Sequence, residues 1–183
     1  MFAVGSPAQL VYLTVATALS EIWVVGSGGC GPDGESLSFS HMLSTVSLTS
    51  SQVPPCKRAR GGTFDFESSE TWEPLGPWEL GVSYNGMESN GDYAMESIAL
   101  INNVASFTTV VDKALIAAVN DTNFYQGYIG VGATRGNFGG QSFDPLISQL
   151  VGTDGGIPSH SYGYTAGAYY RGGKCLLAPI PVP

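Results

Sequence analysis

The chain has 183 residues, enough for one domain or a large lobe with its own core. Hydrophobic residues make up 43% and charged residues 12%, which excludes a disordered, charge-rich chain. A formal net charge of -8 and an isoelectric point near 4.5 argue against nucleic acid, whose phosphates such a surface would repel.

The 25 glycines and 11 prolines punctuate stretches rich in Thr, Val, Tyr and Phe. That pattern predicts many short strands rather than long helices. No charged residue precedes Glu21, so LVYLTVATALS could pass for the apolar part of a leader. It lacks a basic start, and Gly5-Ser6-Pro7 would break a helix there, so neither a signal peptide nor a membrane span is expected. Strands are predicted over 9–16 and 21–26 instead.

The loop after them, Gly26-Ser27-Gly28-Gly29-Cys30-Gly31, satisfies the glycine spacing of dinucleotide sites. Such a site also needs a helix opening on those glycines, and Pro32-Asp33-Gly34 follow instead. The stretch therefore reads as a plain glycine-rich loop, with no cofactor. Residues 35–55 are rich in Ser, Thr and Leu and differ in composition from both flanks, which marks an insertion. The cluster Lys57-Arg58-Ala59-Arg60 reads as a solvated turn.

Strands resume at TFDF (63–66) and continue through WELGVSY (78–84) and DYAMESIAL (92–100). The last two form a predicted hairpin with a long polar tip. ASFTTVV (105–111), KALIAAV (113–119) and GYIGVG (127–132) continue the strand series. One short helix is predicted where Phe143, Leu146, Ile147 and Leu150 recur at helical spacing behind Pro145. HSYGYTAGAYY (160–170) reads as a last aromatic strand, and residues 174–183 as a Pro-rich tail. The fold class expected is all-β.

Cys30, Cys56 and Cys175 allow one disulfide with one thiol left over. Three cysteines without a C-x-x-C, and two histidines, His41 and His160, make no zinc site, so no metal is expected. Asn120-Asp121-Thr122 is a glycosylation sequon between two predicted strands. Ser159-His160 offers no nucleophile elbow.

A larger arrangement runs through these segments. Val4-Gly5-Ser6-Pro7-Ala8-Gln9 and Ile22-Trp23-Val24 resemble the opening turn and second strand of the pepsin-like aspartic proteases (peptidase A1), in their amino-terminal lobe. Thr17 and Ser20 then fall on family positions of the catalytic loop, and Ala16 stands where that family carries its aspartate. Phe64-Asp65-Phe66 with Ser68, Ser69 and Thr71 is similar to a further family segment. Val82-Ser83-Tyr84 to Gly91-Asp92-Tyr93 resembles the flap, Gln126 to Gly132 the strand that follows, and Phe143 to Leu150 the helix after it. The style is most similar to fungal members.

The resemblance implies a lobe of closed, orthogonally packed sheets over residues 1–173. It implies a disulfide between Cys30 and Cys56 around an enlarged loop, and secretion. It implies an extended peptide or protein as ligand, met by Thr17, Ser20, Trp23, Tyr84, Asn85 and Gly86, with the Trp23 indole bonding the Tyr84 oxygen. In this family two carboxylates, one per lobe, share a proton and activate water. Alanine supplies neither acid nor base, and no second D-T-G or D-S-G occurs in the chain. No catalytic residue is therefore assigned. The alternatives are an active secreted endopeptidase completed by another chain or by a carboxylate such as Glu21, or a gene fragment without settled function.

Overall fold

The computed structural model describes residues 1–30, 55–79, 90–101, 107–121, 126–152, 156–165 and 176–179. Twelve strands and two short α-helices are found among them. The strands are β1 (Phe2–Val4), β2 (Gln9–Val11), β3 (Thr14–Ala16), β4 (Ile22–Val25), β5 (Glu73–Glu79) and β6 (Asn90–Ile101). They continue with β7 (Phe107–Val119), β8 (Tyr128–Gly130), β9 (Gly136–Phe138), β10 (Gln141–Phe143), β11 (Tyr162–Thr165) and β12 (Leu176–Pro179). The helices are α1 (Pro55–Ala59) and α2 (Leu146–Gly152). The chain is mostly β, as its composition predicts, with two α-helices where one was expected.

Eight strands make one curled sheet, in the order β2-β1-β6-β7-β4-β8-β3, with β5 also paired to β6. The long strands β6 and β7 are its spine. Their antiparallel register runs from Gly91↔Val119 to Ile101↔Phe107, and it shifts between Glu96 and Ile98 and between Leu100 and Ile101. Such irregularities bend a strand and increase its twist. β5 pairs with the first half of β6 and β1 with the second half.

Alternation along β7 and β4 explains their near-continuous apolar sequence. Ala114, Ile116 and Ala118 point into one core with Ile22, Val24, Ile98, Ile129 and Phe64. Leu115, Ala117 and Val119 point to the other side, with Trp23 and Tyr93. Both faces of β7 are covered there, so neither side of the strand needs polar residues. Helix α2 closes the first core with Leu146, Ile147 and Leu150, at the spacing that predicted it. Each such side chain, Ile116 for instance, contributes about 1.5–3 kcal/mol when fully buried.

Several expectations are corrected. The stretch 9–16 is two strands, because β2 pairs with β1 while β3 pairs with β8. Between them the Tyr12 N–H donates to Gly61 O at 2.6 Å. The predicted break between 111 and 113 is absent, and β7 runs through Asp112 and Lys113, both exposed. Strand β5 begins at Glu73, ahead of the predicted start, despite Pro74 and Pro77. Among the described residues it pairs on one side only, where prolines are tolerated. The remainder of that predicted strand and the hairpin tip lie outside the described residues.

The basic cluster is solvated at Arg58 and Ala59 but not at Arg60. Pro55–Ala59 is helical and Arg60 is only 4% exposed. The Arg60 guanidinium donates to Gly29 O and, at 2.9 Å, to Asp121 O. Burial pushes its pKa below the ordinary arginine value, and Asp121 opposes that shift. A disulfide joins Cys30 to Cys56 beside it, both buried, and closes the base of the insertion. The insertion itself lies mostly outside the described residues.

Hairpin β9–β10 was not expected. It turns at Gly139-Gly140, both with positive φ (60° and 80°), the backbone that a tight two-residue hairpin turn requires. β11 and β12 form a separate antiparallel ribbon, with Tyr162 opposite Pro179, so the Pro-rich tail contributes a strand.

Candidate functional site

The site begins with the crossing of β8 between two strands that are consecutive in the chain. β3 lies parallel to β8 on one side, with Ala16 opposite Gly130. β4 lies antiparallel on the other, with Ile22 opposite Ile129. Residues 17–21 connect β3 to β4 around the end of β8, and three backbone bonds fasten this turn. Gly130 N donates to Glu21 O at 2.9 Å, Val131 N to Ala16 O at 3.0 Å and Gly132 N to Leu19 O at 2.7 Å.

The approach is close enough to specify glycine. A Cβ on Gly130 would sit 2.5 Å from Glu21 O, and one on Gly132 would sit 2.8 Å from Leu19 O. Both are backbone atoms and cannot swing aside. The spacing G-x-G at the end of β8 is therefore a packing requirement of the turn above it.

Ala16 is half-buried at the end of β3, and Thr17 and Ala18 are exposed at the turn. Ser20 is half-buried and lines a shallow pocket with Glu21, Leu115, Phe143 and Leu146. Trp23 sits on the same side of the sheet as Tyr93. Its indole N–H donates to Glu21 Oε2 at 3.0 Å, and the Tyr93 hydroxyl donates to that same oxygen at 2.7 Å. Burial, and then the bond to Glu21, push the Tyr93 phenol well above its ordinary pKa; the neighbouring Trp23 indole opposes this.

A tyrosine oxygen near the Trp23 indole was expected from Tyr84. The one found there belongs to Tyr93. Tyr84, Asn85 and Gly86 lie outside the described residues. Glu21 entered the sequence analysis only as a candidate carboxylate near Ala16, and in the structure it is the acceptor that joins turn, β4 and β6. Nothing local in the sequence marks that role, because Tyr93 is 72 positions away.

A second polar cluster fixes the opening turn against the segment 64–71. Gln9 Nε2 donates to Asp65 O at 2.7 Å, and Gln9 Oε1 accepts from Asp65 N at 2.8 Å. Ser69 Oγ accepts from Ser6 N at 3.2 Å and donates to Glu96 Oε2 at 2.7 Å. Thr71 Oγ1 also donates to Glu96, and Ser97 N donates to Glu96 Oε1 at 2.6 Å. Glu96 is fully buried, so these donors replace its lost water. Gly5, with φ 78°, presses so near Ser69 and Phe64 that a Cβ would fall 2.6 Å from Ser69 Oγ.

At the opposite end of the sheet, Asn120 Nδ2, the sequon nitrogen, donates to Asp92 Oδ2 at 3.1 Å. Among the described residues no group of three or more His, Cys, Asp or Glu is placed to hold a metal ion. No described helix is long and apolar enough to cross a membrane.

The arrangement offers a turn exposed at Thr17 and Ala18, an aromatic wall and one carboxylate held by two aromatic donors. Among the described residues it offers no pair of carboxylates at Ala16. Neither a scan against protein-family models nor a search of curated proteins finds a match to this chain.

Proposed function

We propose that this chain is a lobe of the pepsin-like aspartic protease type that binds extended peptide without cleaving it. The observation that carries the reading is the threading of β8 between β3 and β4, with Ala16 at the end of β3 where that family places its carboxylate. The contact of the Gly5-Ser6-Pro7 turn with the Ser69 segment supports it too, since both were picked out by the same resemblance. So does the disulfide at the base of the insertion.

Catalysis in that family needs a general base on water and a general acid on the carbonyl. The Ala16 methyl group can do neither, and acid–base assistance alone is worth ~10²–10⁴ in rate. Glu21 does not replace it, because its Oε2 is committed to Trp23 and Tyr93. Peptide would lie along the turn at residues 17–20 as an added strand, held by main-chain bonds.

Two measurements test this. The purified chain, incubated with unfolded protein at pH 3–5, is expected to produce no fragments; turnover blocked by a pepstatin-type inhibitor would overturn the reading. Titration with extended peptides is expected to shift the NMR resonances of Thr17, Ser20 and the Trp23 indole. Shifts confined to other faces of the sheet would remove the peptide-binding half of the proposal.

A further inference from the structure

We draw no further inference here: the strongest candidate, the shallow pocket between β4, β7, β10 and α2 with Glu21 and Asp144 at its rim, has room of only ≈ 10 Å³, belongs to the site already described, and holds no buried unpartnered group that would say what fills it.

Discussion

The Tyr93 hydroxyl reaches Glu21 Oε2 at 2.7 Å, on the oxygen that also accepts the Trp23 indole N–H. One carboxylate oxygen thus ties the turn after β3 to the middle of the sheet. Replacing Tyr93 with Phe keeps the ring against Phe138, whose centroid is 4.6 Å away, and deletes only the hydroxyl. The expected loss is about 1–2 kcal/mol, because the acceptor is a half-exposed carboxylate oxygen. Urea unfolding of Y93F against the parent chain measures it.

The same bond predicts an alkaline signature. The folded Tyr93 phenol titrates above its unfolded value of about 10, so the folded state holds its proton longer than the unfolded state does. Its contribution is fully present below pH ~10 and is lost as pH rises beyond it, at up to about 1.4 kcal/mol per pH unit. Stability measured from pH 8 to 11 should fall more steeply for the parent than for Y93F. Parallel curves would show that the phenol is not held as described.

Gly130 should tolerate no side chain. Alanine there meets Glu21 O at 2.5 Å and Ser20 C at 2.6 Å, and only backbone movement relieves the clash. G130A is expected to cost about 2–3 kcal/mol. G140A provides the contrast, since nothing lies within 4 Å of a Cβ there and only the positive φ is strained, at about 1 kcal/mol. Chemical denaturation of the two variants should separate them in that order.

For Glu96 the expected ranking is E96A worse than E96Q. Glutamine still offers one oxygen to Ser97 N–H, and the Ser69 hydroxyl can turn to accept from the new amide. E96Q should cost about 1 kcal/mol. Alanine removes the shared acceptor and leaves a void where Glu96 was buried. The half-buried Ser97 N–H and Ser69 hydroxyl lose their partner while the exposed Thr71 turns to water, and a loss of about 2 kcal/mol is expected. Equal unfolding midpoints for the two variants would refute this ranking.

The base of the insertion should hold without the chain that closes it. Beside the disulfide, Arg60 bonds Gly29 O, Phe64 N bonds Val25 O at 2.8 Å and Ser27 N bonds Phe64 O at 2.9 Å. A protease site engineered between residues 31 and 54, then cut, should leave near-ultraviolet circular dichroism unchanged. The two fragments should separate on a gel only after reduction. Closing this loop is worth about 3 kcal/mol in the chain-entropy account, so the reduced, uncut chain should unfold at lower urea.

What the sequence disclosed was mostly local. KALIAAV announces a strand, and Leu146, Ile147 and Leu150 announce a helix, because each pattern repeats within a few residues. That the strand is buried on both faces is visible only in the fold. β5 was harder to see, since its prolines are acceptable only on the unpaired side, and pairing is a tertiary fact. Asp112 was left between two predicted strands, yet one strand runs through it, with Asp112 and Lys113 facing solvent and Lys113 reaching Glu73 at 2.7 Å. Arg60 looked exposed because its acceptors, on Gly29 and Asp121, are 31 and 61 positions away. Glu21 and Glu96 were hidden for the same reason. Family likeness singled out Ser69 and Thr71 but gave no hint of the carboxylate they serve.

The turn that ends at Glu21 has one further consequence. Its path is dictated from beneath, by the amides of Gly130, Val131 and Gly132, and the Ala16 side chain takes no part in those bonds. Shape and side-chain identity are thereby uncoupled at this position: whatever residue follows Val15 within the space available, the three amides still dictate the course of the turn above them.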